Sequence, residues 1–159
     1  MLSFLRSLLL VSAPISSGAL WAQNKKIEKL LKKAQLHYSV DNDGDFKLVF
    51  DVGEGRSQVL FINSRTEEMG GQEIVEIWSP AYKGTPNQQG NFGLDLLLAS
   101  SNKKIGAWQA LQADNQVIFV FIAKVPLSAL TPTFLKATCA GVVAIADEVE
   151  NQLTQADKF

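Results

Sequence analysis

The order of the amphipathic segments is the feature that most constrains how this chain of 159 residues can fold. From residue 24 to residue 153, the hydrophobic periodicity predicts a helix, three strands, a helix, two strands and a final helix. Short turns join the consecutive strands, and parallel neighbours would need long crossovers instead. We therefore expect an α+β fold, in which a twisted antiparallel sheet of about five strands packs against helices.

The first predicted helix extends from Asn24 to His37 and has one apolar face and one basic face. Ile27, Leu30, Leu31 and Ala34 recur at the spacing of one helix face. The basic face carries five lysines, and we interpret it as a solvated surface, with an acidic partner or a membrane surface as the alternative. These lysines are Lys25, Lys26, Lys29, Lys32 and Lys33.

Proline, glycine and capping residues give the bounds of the other elements. The second helix is predicted from Asn91, its cap, to about Ser101, and the last begins with Thr131 as cap and Pro132 in the first turn. The last helix has an apolar stripe at the spacing of one helix face, and its small residues would allow another backbone to approach closely. The stripe consists of Leu135, Cys139, Val142, Ala146, Val149 and Leu153. Pro80 is expected to end the third strand, because proline cannot donate to a ladder. The five predicted strands are Phe46–Val52, Ser57–Asn63, Glu73–Ser79, Gly106–Ala113 and Gln116–Val125, with polar loops around Met69-Gly70-Gly71 and over Ala81–Gln89.

The first 22 residues have the layout of a secretory signal peptide. Arg6 is followed by an apolar run from Leu8 to Ile15 and then by small residues. The run is too short to span a bilayer, and cleavage is expected after Ala19 or Ala22. We therefore expect residues 1–22 to be removed on export to the periplasm or the exterior, and residues 23–159 to form a single domain. The alternative is an uncleaved amphipathic or membrane-tethering N-terminal segment.

The sequence offers no set of groups that indicates catalysis, a cofactor or a metal centre. The chain has one histidine, His37, and one cysteine, Cys139, which lies on the apolar stripe of the last helix and is interpreted as a core residue. The formal charge of −1 gives no general attraction to nucleic acid. The acidic turn at Asp41-Asn42-Asp43-Gly44-Asp45 resembles a calcium loop only in part, since Phe50 stands where a bidentate glutamate is needed, and we interpret it as a structural turn.

Several positions in the second half of the chain resemble the YbjN family and its relatives with the type III secretion chaperone-like fold. These are Leu97-Leu98, Asn102, Gly106-Ala107-Trp108, Val125-Pro126-Leu127 and Ala146-Asp147. The leading helix, the turn at Asp43-Gly44 and the three-stranded meander agree with that family as well. The resemblance implies a sheet packed on helices and a non-enzymatic protein. Secretion chaperones of this fold dimerise and hold a partly unfolded protein, but they are cytosolic, and the signal peptide departs from that pattern.

Three hypotheses about function follow. The first is a non-catalytic, exported protein-binding module with an unknown protein partner, without a stable membrane anchor after cleavage, and with a subsidiary homodimer through the C-terminal helix. The second is a small-ligand-binding protein or cryptic enzyme, with a pocket between sheet and helices that uses Trp108, His37 or Tyr82. A third, an envelope structural or stress protein without a specific ligand, ranks below both.

Overall fold

The computed structural model describes residues 24–85, 92–154 and 156–159. The predicted signal peptide and Asn91, the expected cap of the second helix, lie outside these residues. The structure confirms the predicted fold class, an α+β arrangement of three α-helices and an open antiparallel sheet, and the sheet has seven strands. Among the described residues, no helix combines the length and the apolar character needed to cross a membrane.

The elements follow the predicted order, with two strands added. The helices are α1 (Lys25–Lys33), α2 (Phe92–Ser100) and α3 (Pro132–Thr154), and a short 3₁₀ helix (Leu127–Ala129) precedes α3. The strands are β1 (Ser39–Val40), β2 (Phe46–Gly53), β3 (Arg56–Ile62), β4 (Glu67–Met69), β5 (Gln72–Gly84), β6 (Ala107–Ala113) and β7 (Gln116–Pro126). The sheet has the order β1-β2-β3-β5-β7-β6, and β4 pairs with the start of β5.

The expectation of about five strands was too low because β1 and β4 are two and three residues long and exposed throughout. Such strands have no apolar alternation that a sequence pattern could reveal. The polar loop predicted around Met69-Gly70-Gly71 is a tight hairpin that joins β4 to β5.

Helix α1 is shorter at its C-terminal end than predicted. Its start is capped as expected, since Asn24 Oδ1 accepts the N–H groups of Lys26 at 3.0 Å and Ile27 at 3.3 Å. The helix ends at Lys33 instead of His37, and Gln35 has a left-handed φ of 55° that turns the chain toward β1. The apolar residues predicted for its inner face include the buried Ile27 and Leu31.

The prediction that Pro80 ends the third strand was wrong. Strand β5 continues to Gly84, with a bulge between Pro80 and Tyr82. The backbones of β3 and β5 pair only at Phe61–Trp78 and Ile62–Ile77, so no β3 ladder bond is lost at the proline.

The side chain of Gln58 fills the space where β3 and β5 separate. Its Nε2 donates to Ser79 Oγ at 2.9 Å and to the carbonyl of Pro80 at 2.7 Å, and Ser79 Oγ donates to the carbonyl of Val59 at 2.6 Å. Both polar side chains are fully buried. A side-chain bridge therefore takes the place of the backbone ladder between Phe61 and the start of β3.

All three helices contribute to one core against a single face of the sheet. On the strands that face presents alternate residues, such as Leu48, Leu60, Ile77 and Phe121, and they pack with buried residues from each helix. The inner stripe of α3 was predicted correctly in its first part, where Leu135, Cys139, Val142 and Ala146 are buried. Thr131 caps α3 as expected, with its Oγ1 accepting the N–H of Phe134 at 3.1 Å. The domain is therefore two layers deep.

The end of α3 and the residues that follow are clamped to the start of β3. Arg56 donates to Asp147 Oδ1 from Nε and a terminal nitrogen, at 3.0 and 2.7 Å, and to the carbonyl of Ala156 at 3.0 Å. The fully buried Glu150 accepts the N–H of Lys158 at 2.6 Å, and its other oxygen lies 3.5 Å from Arg56. Burial raises the pKa of Glu150, and the Lys158 hydrogen bond and the Arg56 charge offset this only in part.

Gly106 is a position where the backbone demands glycine, and Gly141 on α3 is its control. Gly106 has a φ of +78°, and a Cβ there would lie 2.6 Å from the carbonyl oxygen of Ile122. We expect Gly106→Ala to lower the free energy of unfolding by about 2–4 kcal/mol. Gly141→Ala meets nothing within 4 Å and should raise it by about 0.5–1 kcal/mol. Urea titration of both variants measures this, and equal effects would contradict the analysis.

Glu150 makes the stability of the clamp depend on pH in a defined direction. Folding raises the pKa of Glu150. Its contribution to stability is therefore complete at a pH below its pKa in the unfolded chain, and it is lost as the pH rises through its pKa in the folded protein. Glu150→Gln cannot ionise, so the free energy of unfolding of the wild type, relative to this variant, should fall as the pH rises above about 4.3, the ordinary pKa of a glutamate. Denaturant titrations at a series of pH values on both sides of that pKa test this, and a relative stability that is flat or rises with pH would refute it.

Candidate functional site

The three residues predicted for a small-ligand pocket do not meet in one. Trp108 is buried in the core and packs edge-on against Phe121, with ring centroids 5.3 Å apart. Tyr82 packs against Phe119 on β7. His37 is exposed in the turn after α1 and lines a shallow groove to which neither Trp108 nor Tyr82 contributes.

The acidic turn before β2 uses its carboxylates to close itself. Asp41 Oδ1 accepts the N–H groups of Asp43 at 3.0 Å and Asp45 at 2.9 Å, and Asp45 Oδ1 accepts the N–H of Ser64 at 2.6 Å. Burial raises the pKa of Asp45. Within residues 24–85, 92–154 and 156–159, no three acidic, histidine or cysteine side chains gather as ligands of a metal ion would. The turn thus ties β2 to the end of β3.

Cys139 is a core residue with an unreactive thiol. It is fully buried on the inner face of α3, and burial raises its pKa to about 12. The thiolate, which is the nucleophilic form, is therefore scarce near neutral pH.

The edge strand β6 is the first part of a candidate interaction surface. It pairs with β7 over its whole length, from Ala107–Ile122 to Ala113–Gln116, and its other side faces no strand of the described chain. Its seven residues, AWQALQA, include no charge and no proline. Edge strands usually carry such residues to prevent pairing with other chains, so β6 is an unprotected edge.

Helix α2 adds an exposed apolar face beside this edge. The helix is anchored by the buried Leu96 and by Ser100, whose Oγ accepts the N–H of Trp108 at 2.9 Å. Leu94, Leu97 and Leu98 are 57%, 62% and 63% exposed. The three side chains together expose almost as much surface as two fully exposed leucines would, on a helix of only nine residues. Contiguous exposed apolar patches of this kind mark interaction sites. We call the β6 edge together with these three leucines the β6–α2 surface.

The sequence could not distinguish the exposed leucines from the buried one. Helix α2 is apolar on nearly all sides, and that pattern is typical of a fully buried helix. The exposure arises because α2 packs on the outermost strand, where no further element of the described chain covers its other side. The one feature of this surface that the sequence shows is the absence of charge in β6. That absence points to an interaction surface only once β6 is known to be an edge strand.

The five lysines of the basic face are all exposed, as predicted for α1. Lys26 forms an ion pair with Glu73, and Lys32 forms one with Glu28 at 2.5 Å. Lys29 and Lys33 line a groove between α1 and the 3₁₀ helix. Lys25 stands at the first position of the helix.

The comparisons with known proteins support the fold. No family model matches the sequence, and no curated protein matches it significantly. The crystal structure of YbjN from E. coli, a protein proposed to regulate transcription, superposes with a TM-score of 0.51 at 10% identity over 82% of this chain and 92% of that one. An uncharacterised protein from Methanothermobacter thermautotrophicus gives a TM-score of 0.49 at 11% identity, over 85% of this chain and 99% of that one. The chain therefore has a YbjN-like fold, as the sequence resemblance predicted.

Proposed function

We propose that this protein is a non-enzymatic, chaperone-like protein-binding module that receives a segment of a partner protein along the β6–α2 surface. The observation that carries the proposal is the combination of an unpaired, uncharged edge strand with three exposed leucines on the adjoining helix. The YbjN-like fold is compatible with this function.

The chemistry of the surface indicates how a partner would bind. An extended segment would add a strand to β6, and its backbone would pair with the N–H and C=O groups that neither β7 nor Ser100 Oγ engages. Its alternate side chains would face α2, where apolar residues could cover Leu94, Leu97 and Leu98. Burying one leucine contributes about 1.5–3 kcal/mol before the ordering costs of association are subtracted, so these contacts would supply most of the affinity.

Site-specific photo-crosslinking in the native cell tests the proposal. A photoreactive amino acid at Leu97 or at Ala110, which is exposed on β6, should give protein adducts. The same amino acid at Val49, which is 65% exposed on β2, should give few. The trapped protein, identified by mass and then purified, should bind the full-length chain in solution. Leu97→Lys and Ala110→Lys should each weaken this binding about tenfold or more, because a charge is introduced into the contact.

Val49→Lys is the matched control, because it adds the same charge to an exposed apolar position outside the surface. It should leave the dissociation constant within about twofold of the wild-type value. Equal loss of affinity in all three variants, or adducts from Val49 alone, would contradict the assignment of the surface.

A homodimer through α3 is a second association that we propose. The inner stripe of the helix is used in the core, so the contact would use its outer face, where Phe134 is 39% exposed and small residues follow it. These are Ala137, Ala140 and Ala144, all exposed. The photoreactive amino acid at Ala140 should then give an adduct of twice the monomer mass. A monodisperse monomer in light scattering at high concentration would refute this association.

We also propose that the protein is exported and that its partners lie in the cell envelope. The support is the layout of residues 1–22, which lie outside the described part of the chain. Intact-mass analysis of the protein from its native cell should show a soluble species that begins at Leu20 or Gln23. A full-length cytosolic species would contradict export and would favour a cytosolic secretion-chaperone role.

A further inference from the structure

A groove between α1 and the 3₁₀ helix combines an apolar floor with a basic rim. It has a volume of about 530 Å³ and is partly open to solvent. Leu127 and Leu130 are 8% and 6% exposed at its floor, and the half-buried Leu30 adjoins them. Three lysines, Lys26, Lys29 and Lys33, form one side of the rim. We call this feature the lysine groove.

The rim has a net positive charge that is concentrated at one end. At the other end Lys26 is neutralised by Glu73, and Glu68 stands opposite Glu73 on the neighbouring strand β4. Lys29 and Lys33 are exposed, and among the residues that the structure describes, Glu73 is the only carboxylate that lines the groove. Lys136 on α3 lines a second depression that shares Lys33, so a further positive charge follows at the basic end.

We propose that the lysine groove binds an acidic amphipathic helical segment of a partner protein. Leu30, Leu127 and Leu130 would receive the apolar stripe of that segment, as grooves that bind amphipathic helices do. Lys29 and Lys33 are one helical turn apart, about 6 Å between Cβ atoms. They would pair with two carboxylates that flank the stripe at the same spacing. The charge complementarity selects an acidic partner, and the apolar floor selects one that also has a hydrophobic face.

This inference does not rest on the β6–α2 surface. The groove lies where β5 begins and β7 ends, near Ile74 and Pro126. The start of α2 contacts Phe119, whose partner on β5 is Tyr82, toward the other end of the same two strands. The two surfaces can therefore be tested separately, and Leu97→Lys should not affect binding in the groove.

A designed peptide provides the probe. It is a labelled helical peptide of about 16 residues, made of leucine, glutamate and alanine, with leucines at i, i+3, i+4 and i+7 and glutamates flanking them. A scrambled peptide of the same composition retains the charge and loses the stripe. Fluorescence anisotropy with the full-length chain should show saturable binding of the patterned peptide, at least about fivefold tighter than that of the scrambled one.

Charge reversal in the rim tests the role of the lysines. The double variant Lys29→Glu, Lys33→Glu should weaken binding of the patterned peptide about tenfold or more. The control Lys104→Glu, Lys158→Glu makes the same change in net charge at exposed lysines outside the groove and should stay within about twofold of wild type. Amide chemical-shift changes on peptide addition should centre on Leu127 to Leu130.

Three results would overturn the proposal. One is the absence of saturable binding up to about 1 mM peptide, which corresponds to an affinity too weak for a specific site. The second is equal binding of both peptides, or equal loss in both double variants, which would indicate general attraction between opposite charges. The third is that the patterned peptide does not bind, whereas vesicles of phosphatidylcholine and phosphatidylglycerol do, and the double variant Lys29→Glu, Lys33→Glu abolishes the vesicle binding. That outcome would assign the basic face to a membrane surface.

Discussion

The antiparallel pairing of β5 with β7 holds the two halves of the domain together. Ten residue pairs join these strands, from Ile74–Pro126 to Gly84–Val117. The meander of β2 and β3 lies on the β5 side of this ladder, and β6 lies on the β7 side. Helix α3 packs across both strands, so its inner stripe is buried against this ladder. The lysine groove at one end of the ladder and the anchored start of α2 at the other both take their positions from it.

The sequence predicted the elements that have strong periodicity or clear caps. Helix α3 begins at Pro132, directly after its cap Thr131, as expected, and the β6–β7 hairpin turns at Asp114-Asn115, between the two strands predicted there. Both follow from local chemistry, because a cap and a tight turn involve only neighbouring residues. The general order of the fold was therefore readable, and the YbjN-like architecture agrees with the resemblance seen in the sequence.

The parts that were not predicted depend on distant residues. Pro80 remains within a strand because β3 has already left β5, which no local pattern around the proline can show. Helix α1 ends at Lys33, before the left-handed Gln35, whereas the sequence predicted a helix as far as His37. Strand β6 became part of a candidate surface only when the sheet order placed it at an edge. Likewise, Leu94, Leu97 and Leu98 are exposed because no further element of the described chain covers the outer side of α2.

The boundary between β3 and β5 depends on side chains to an unusual degree. The β2–β3 ladder and the β5–β7–β6 ladder each extend over many residues. Between β3 and β5 lie two backbone pairs, the bond from the Asn63 N–H to the Glu76 carbonyl, and side-chain contacts that include the buried bridge made by Gln58 and Ser79. Every residue except proline supplies the backbone groups of a ladder, whereas the bridge needs an amide at residue 58. A substitution of Gln58 would therefore alter how the two halves of the sheet are joined without removing a bond from either ladder.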